Sequence, residues 1–432
     1  MYIYIFLERK EFAMKKSRYN YCIPYRENQY IVFNTLNTTL AVLEEKKYQQ
    51  FCDNDVFDDS DPENLKLFQN GMLVMDDEDE KTIVDFDRAA VAFEDSQPHF
   101  RILTTTACNA RCHYCYEAGA QISTMTPDIA ISVVNYIKEK TSGKNKFTLT
   151  WFGGEPLLNP GAVDYISKEL SNYSEQCGIR WTSSIVTNGS LFTPEIICNA
   201  VKTWNLESAQ ITLDGMKGKY TQIKNYRDDS SFETVLNNIE LLCKYGICVT
   251  LRLNYDQQNY EDVTELIRYL SSRLRDCDHW SMYVYPIFDN KDSSYDLKSV
   301  MKLVELEKLI CTCVGKSALD IALPEYVHGR CVFCSVAGET IMPNGDLMKC
   351  CRVMNTDSPF GNISVPSKKK GVSYAKWCTP TLLPRCAACI FLPICQGGCR
   401  AEQFLGQDGC LPRVRTIDLI LKEYVNARYI KK

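Results

Sequence analysis

The sequence predicts an α/β protein built on a parallel sheet that curves into a partial barrel of six βα units. Two observations carry this expectation. From His99 to about Gly315, short runs rich in β-branched residues alternate with helical patterns. The helical patterns also open with strong start signals, Thr126–Pro127 and Thr193–Pro194, each a cap residue followed by proline at the first helical position. The strand candidates in order are HFRILTTT, KFTLTWFGG, IRWTSSIVTNG, SAQITLDG, ICVTLRLNYD and WSMYVYPIFD. Segments such as PDIAISVVNYIKEK and FETVLNNIELLCKYG lie between them, with apolar residues at helical spacing. Such a series argues for a parallel sheet, whose ligands bind at the carboxyl ends of the strands.

Residues 14–97 read as a separate unit that ends in EDSQPHF. The run YCIPYRENQYIVFNTLNTTLAVLEEKKYQQF predicts a hairpin with its turn near Glu27–Asn28, then a short helix. LKLFQNGMLVMDDEDE predicts a helix ending at Gly71 and a further strand, for an order β-β-α-α-β. Acidic runs at Asp53–Glu63 and Asp76–Glu80 read either as solvated loops or as attraction for a basic peptide. Ahead of this unit, residues 1–13 (MYIYIFLERKEFA) are too short and too charged for a signal peptide or membrane span. They are expected to be a disordered extension, or residues preceding a true start at Met14.

The 432 residues suffice for two to four domains, and 45% apolar with 24% charged residues is an ordinary globular composition. A formal charge of −5 without a basic stripe argues against a nucleic-acid partner. No segment has the length of a transmembrane helix, so no membrane partner is expected. Cysteine is abundant at 22 residues and clusters at metal-ligand spacings, which favours a reducing cytoplasm over a disulfide framework.

Cys108, Cys112 and Cys115 form C-x3-C-x2-C directly after the first strand, where the fold places its chemistry. Three thiolates leave one iron of a four-iron cluster free to bind something else. Alone, the trio would also suit a zinc knuckle or buried thiols. With Tyr114 before its third cysteine, it resembles the signature of the radical S-adenosylmethionine (SAM) enzymes. That resemblance implies a [4Fe-4S] cluster that chelates SAM and cleaves it reductively to a 5′-deoxyadenosyl radical. It also implies SAM contacts. Gly153–Gly154–Glu155–Pro156 follows the second strand, its glycines permitting close backbone approach and Glu155 offering an acceptor to the methionyl amine. Thr187–Asn188–Gly189 resembles the ribose-contacting segment, and Asp214–Gly215 closes the fourth strand. Arg252 and Asn254 share one face of the fifth strand, there either to contact SAM or to form a barrel salt link.

Towards the C-terminus, Cys334-x10-Gly345-x4-Cys350 precedes Cys386-x2-Cys389-x5-Cys395-x3-Cys399 and Cys410. This resembles the SPASM domain, which carries auxiliary clusters in many peptide-modifying radical SAM enzymes. Zinc would also suit paired C-x2-C sites in isolation. The resemblance implies three [4Fe-4S] clusters in all, one set of ligands being Cys386, Cys389, Cys395 and Cys410. The other is Cys334, Cys350 and Cys399 with a fourth: Cys331 stands nearest in sequence, with Cys351 and Cys378 as rivals, or that cluster has an open iron. Cys177, Cys198, Cys243 and Cys248 are expected in the core. Sulfatase-maturing members carry a general-base aspartate where this chain has Cys351, which disfavours formylglycine chemistry. Asp256, Asp289 and Cys351 are positional candidates for a base.

The N-terminal unit resembles the winged-helix-like recognition elements of ribosomal-peptide (RiPP) maturation; a structural cap on the barrel is the alternative. The implied organisation is an extension at 1–13, a recognition unit at 14–97, a radical SAM barrel at 98–315, a bridging segment with the SPASM domain at 316–413 and a final helix at 414–432. The implied function is crosslinking of a leader-bearing precursor peptide, by a thioether or carbon–carbon bond, with a flavodoxin- or ferredoxin-type electron donor. Alternatives are a sulfatase-type protein maturase and a zinc-stabilised peptide-binding scaffold.

Overall fold

The computed structural model describes residues 13–289, 294–315, 322–365 and 371–429. The expected extension, apart from Ala13, lies outside them.

The N-terminal unit contains β1 (Met14–Lys16), β2 (Asn20–Arg26), β3 (Gln29–Asn34), β4 (Thr39–Glu44), α1 (Glu45–Asp53), α2 (Pro62–Gln69), β5 (Leu73–Met75) and α3 (Glu80–Phe93). The hairpin turns at Glu27–Asn28 as expected, with Asn28 at φ 57°. The order β-β-α-α-β needs correction, because TLAVLE is a third strand of this sheet and not part of a helix. Asn34 Oδ1 accepts the Leu36 and Asn37 N–H groups, and Thr38 turns at φ 54°, which sends the chain back along β3. Pairing along β3 then overrides the helical preference of Leu, Ala and Glu. Much of the acidic sequence is structural: Asp61 and Asp79 cap α2 and α3, and Glu80 accepts from Ser17 Oγ and the Arg18 N–H.

Six strands form the parallel sheet: β6 (His99–Thr105), β7 (Lys146–Gly153), β8 (Arg180–Thr187), β9 (Leu206–Leu213), β10 (Cys248–Tyr255) and β11 (Trp280–Pro286). They pair in sequence order and correspond to the six expected runs. The connecting helices are α4 (Pro127–Thr141), α5 (Pro160–Cys177), α6 (Pro194–Lys202), α7 (Lys217–Lys224), α8 (Phe232–Lys244) and α9 (Tyr260–Arg273). Thr126 and Thr193 cap α4 and α6 through the Ile129 and Ile196 N–H groups. The sheet buries Trp151, Phe147 and Leu149 against helix residues such as Val133, Ile166 and Leu236.

Beyond β11 come β12 (Phe288–Asp289), β13 (Ser294–Tyr295), α10 (Leu297–Met301) and α11 (Leu303–Cys313). The sheet does not stop at six strands. β14 (Gly338–Ile341) pairs parallel to β6, and β15 (Asp346–Met348) and β16 (Gly361–Asn362) extend it antiparallel to nine. The β14–β15 turn uses Gly345 at φ 84°, a left-handed conformation that glycine adopts readily. The cysteine-rich region is therefore welded to the barrel wall. It continues through α12 (Val372–Cys378), α13 (Pro384–Ala387), α14 (Leu392–Cys395), α15 (Arg400–Phe404), α16 (Pro412–Arg415) and α17 (Ile417–Tyr429). Ile417, Leu421 and Val425 of α17 pack on Ile23, Ile31 and Phe33, so the last helix covers one face of the N-terminal sheet. Among the described residues no helix is long and apolar enough to cross a membrane.

Candidate active site

A cavity of about 310 Å³ opens at the carboxyl ends of the parallel strands. Cys108, Cys112 and Cys115 line it together with Tyr114, Gly153, Gly154, Thr187, Asn188, Arg252 and Asn254. Burial pushes the Cys108 thiol up to about 12 and raises Cys112 and Cys115 too, so metal loading must expel protons. The loop is pinned from both sides. Arg111 N–H donates to the Lys224 carbonyl at 2.7 Å, and Asn109 Nδ2 donates to Asp228 at 2.7 Å.

Gly153 and Gly154 serve this loop directly. A Cβ on Gly153 would lie 2.1 Å from the Thr105 carbonyl oxygen, and one on Gly154 would lie 2.5 Å from that of Ala107. The close approach lets Gly154 N–H reach the Thr105 carbonyl and Glu155 N–H the Ala107 carbonyl, at 3.1 and 2.9 Å. The Glu155 side chain is fully buried and does not line the cavity. It accepts from the Thr187 hydroxyl and the Asn188 N–H, both at 2.8 Å, and from the Leu157 N–H at 3.1 Å. Burial pushes this carboxyl up to about 6 against those donors. Pro156 is buried, its carbonyl accepting from Thr104. Asn188 Nδ2 in turn donates to Asn109 Oδ1 at 2.8 Å, closing the circuit back to the cysteine loop.

A second chain of contacts starts at Asp214. Its carboxylate meets Lys224 Nζ at 2.9 Å and accepts from the Tyr114 hydroxyl at 2.6 Å. Asn254 Nδ2 donates to that hydroxyl, and Arg252 Nε to Asn254 Oδ1. The Arg252 guanidinium lies over the Tyr285 ring, 4.6 Å from its centroid, and among the described residues has no ion-pair partner. Among the described residues, the barrel salt link weighed for it is not formed. Lys224 escaped the sequence reading, because a lysine ending a short polar helix looks solvent-facing.

The chain resembles known proteins in sequence and in fold. Residues 102–270 match the family model of the radical SAM superfamily. This segment, less than half of the chain, has the sequence of a radical SAM domain. Radical SAM cyclopropyl synthase TigE of Paramaledivibacter caminithermalis is 30% identical over 111 residues, 22% of this chain and 23% of TigE. GTP 3′,8-cyclase of Nostoc punctiforme is 28% identical over 154 residues, 34% of this chain and 44% of the cyclase. The chain spans only 23% to 63% of the length of these and the other curated relatives it matches. Among solved structures, anSMEcpe with bound AdoMet aligns at TM-score 0.57 and 17% identity, covering 77% of this chain and 98% of that one. SuiB of Streptococcus suis bound to precursor peptide SuiA aligns at TM-score 0.53 and 15% identity, covering 93% and 99%. Both show the shared fold.

Beyond residues 102–270, two groups of the C-terminal cysteines stand out. Cys334, Cys350 and Cys399 pack together with Val353 and Trp377, and Cys331 lines a small cavity with Cys334. Burial, then Cys331, raises the Cys334 thiol to about 12. Burial, then Cys410, raises Cys395 to about 11, with Cys389 and Cys386 acting in the same direction. Of the rivals to Cys331, Cys351 packs with Leu103 and Met348, and Cys378 joins the main core with its Sγ at the Ser335 carbonyl. A single zinc ion, at Zn–S distances of about 2.3 Å, draws its thiolates within about 4 Å of one another. A four-iron cluster spaces its ligands more widely, and all-thiolate donor sets suit it.

The candidate bases separate. Asp256 accepts from the Gln258 and Asn259 N–H groups at the start of α9 and does not line the cavity. The Asp289 side chain lies outside the described residues. Cys351 is buried beside Arg101 Nη1 at 3.5 Å and the Tyr116 hydroxyl at 3.4 Å, and a hydrogen bond from Cys350 holds its thiol below the ordinary value. Two cysteines expected in the core are exposed, Cys177 and Cys248. They end α5 and begin β10, where elements meet solvent. Cys243 is buried and Cys198 partly so. The cavity's outer wall was not foreseen: Tyr285, Tyr295 and Arg352 line it, with Tyr295 donating to Glu402 at 2.8 Å and Arg352 to the same oxygen at 3.0 Å. Glu117 also lines it; burial, then Cys351, pushes its carboxyl up to about 8.

Proposed function

We propose that the chain is a radical SAM peptide maturase that crosslinks a ribosomally made, leader-bearing precursor through a thioether or carbon–carbon bond. The observation that carries this reading is the shared cavity. Its floor holds Cys108, Cys112 and Cys115, and its outer wall includes Arg352, two residues beyond Cys350. A substrate entering it would sit between the barrel thiols and the cysteine-rich region. Cys108, Cys112 and Cys115 would hold one [4Fe-4S] cluster. Cys334, Cys350 and Cys399 with Cys331, and Cys386, Cys389, Cys395 and Cys410, would hold two more.

When bound, the first cluster and SAM supply the 5′-deoxyadenosyl radical that takes a hydrogen atom from substrate. The chain's own residues do the rest. Glu155 locks Thr187 and Asn188 beneath the cavity, while Gly153 and Gly154 fix the cysteine loop against it. Arg252 and Asn254 offer donors suited to the SAM carboxylate or ribose. Tyr285, Tyr295 and Phe288 shield the outer side from water. Arg111 and His113 are exposed on the cysteine loop, where a flavodoxin- or ferredoxin-type donor would approach.

The leader would bind the N-terminal unit. Both faces of its sheet are covered, one by α17 and the other by residues such as Met14, Phe51 and Leu73. Strand addition at an edge remains, and β4 suits it better than β2, whose Pro24 has no N–H to donate. The fold shared with SuiB over 93% of the chain includes this unit, and SuiB in that structure is bound to precursor peptide SuiA.

Incubating holoenzyme, SAM and reductant with small peptides encoded near the gene tests the reading. Mass spectrometry should find hydrogen loss in a leader-bearing peptide and none in its leaderless form. Formylglycine formation in a folded protein segment, with leader peptides untouched, would favour the sulfatase-type alternative.

A further inference from the structure

Helix α3 has a buried face of Val84, Arg88 and Ala92. Arg88, 4% exposed, reaches out of the N-terminal unit into the cysteine-rich region. Its Nη2 donates to the Pro380 carbonyl at 2.8 Å and its Nη1 to the Gln396 carbonyl at 3.3 Å. Arg330 Nε donates to the same Gln396 oxygen at 2.7 Å. Arg330 Nη2 and Arg400 Nη1 both point to the Thr381 carbonyl. Three guanidiniums are thus gathered around two turns of the cysteine-rich chain.

Among the described residues, none of the three has a carboxylate at ion-pair distance; the arginine pairs formed elsewhere involve Arg273, Arg352, Arg413 and Arg415. Burial, then the like charges of Arg88 and Arg400, lowers Arg330 to about 10. Their neighbours are cysteines from both groups. Arg88 and Arg330 line a small cavity with Cys331 and Cys334, and Cys386 lies within electrostatic reach of both arginines. Arg330 Nη1 and Arg400 Nε are moreover buried without a hydrogen-bond partner. The buried Arg88, beyond the charge of Asp85, and the idle N–H groups of Arg330 and Arg400 suit an anion rich in acceptors.

We propose that Arg88, with Arg330 and Arg400, is the counter-charge of the two auxiliary clusters and raises their reduction potentials, making α3 part of the redox machinery. The inference rests on the cluster assignment above. A thiolate-ligated cluster is anionic and gains negative charge on reduction, so a fixed cation favours the reduced form. Donors to cluster or cysteine sulfur act in the same direction. Arg88 is a positioning residue here, since it would touch no substrate.

The test uses full-length reconstituted holoenzyme as parent, Arg88→Gln, Arg88→Lys and Arg400→Gln. Iron per chain is measured first, then redox titration is followed by electron paramagnetic resonance. Arg88→Gln should keep parental iron and show about tenfold less reduced auxiliary cluster at a fixed potential, ~59 mV for a one-electron couple. The signal of the SAM-binding cluster should not move. Arg88→Lys keeps the charge and should stay near the parent, and Arg400→Gln should shift the same auxiliary signal downward. Unchanged auxiliary potentials in iron-replete Arg88→Gln would overturn the inference. So would Arg88→Lys shifting as far as Arg88→Gln, which would mark Arg88 as a mechanical tie. Should Arg88→Gln lose iron, Arg400→Gln decides, and parental potentials there contradict the proposal. A parent without auxiliary iron would instead remove the cluster assignment, a separate failure.

Discussion

Lys224 and Asp214 close an ion pair at 2.9 Å, with side chains 3% and 0% exposed. Burial alone would lower the Lys224 value, but Asp214, then Tyr114 and Cys112, outweigh it and hold the ammonium well above the ordinary range. Removing one partner of such a pair strands the other charge, at about 3–5 kcal/mol. Lys224→Met should therefore lose about 3 kcal/mol in denaturant unfolding, and adding Asp214→Asn should recover much of it. A Lys224→Met protein as stable as the parent contradicts this assignment. Single residues divide sharply in how far sequence revealed them. The cysteine trio was visible because spacing alone marks it. Asp214 was visible as the end of a strand. Lys224 and the Tyr295–Glu402–Arg352 contacts were not, since they join residues far apart in sequence through ordinary-looking polar side chains.

His99 opens β6, where the barrel strand β7 and the added strand β14 flank it. Its ring sits between the Thr148 and Thr150 hydroxyls at 2.6 and 3.1 Å, with Phe333 edge-on. Burial, then the charge of Arg101, pushes it down from 6.5 to about 4. The folded state thus binds fewer protons than the unfolded chain between these values. Its contribution, about 3 kcal/mol, is full above pH 6.5 and disappears as pH falls through 4. The stability gap between parent and His99→Gln should accordingly narrow from pH 7 to pH 4 in denaturant titrations; a gap independent of pH contradicts the buried neutral imidazole. Six strands and the Thr-Pro caps were legible at this scale, because β-branched runs and cap chemistry are local. The short strands β14 to β16 were not, as β14 gains its place by pairing with β6 and the other two by pairing outward from it. β4 was misjudged for a related reason: its residues favour helix until β3 offers a ladder.

At the scale of the molecule, the N-terminal unit is fastened at several points. α17 covers its sheet, with the Tyr25 hydroxyl donating to Asn426 at 2.7 Å, and Arg88 crosses into the cysteine-rich turns. The nine-stranded sheet joins that region to the barrel on the other side. The peptide-binding and cap readings of the N-terminal unit are therefore compatible, since a unit so anchored can stiffen the cysteine turns and still present β4. Sequence patterns exposed the parts and hid the fastenings, which depend on packing between distant segments. Three groups of cysteines are proposed to hold iron–sulfur clusters, one of them acting on SAM. Anaerobic reconstitution, iron and sulfide analysis, and deoxyadenosine formation from SAM under dithionite measure both together. About twelve irons per chain, the sum of three four-iron clusters, with deoxyadenosine from the parent, is the predicted result. Cys112→Ala should keep its auxiliary iron and form no deoxyadenosine. Zinc in place of iron, with SAM left intact, would contradict the account.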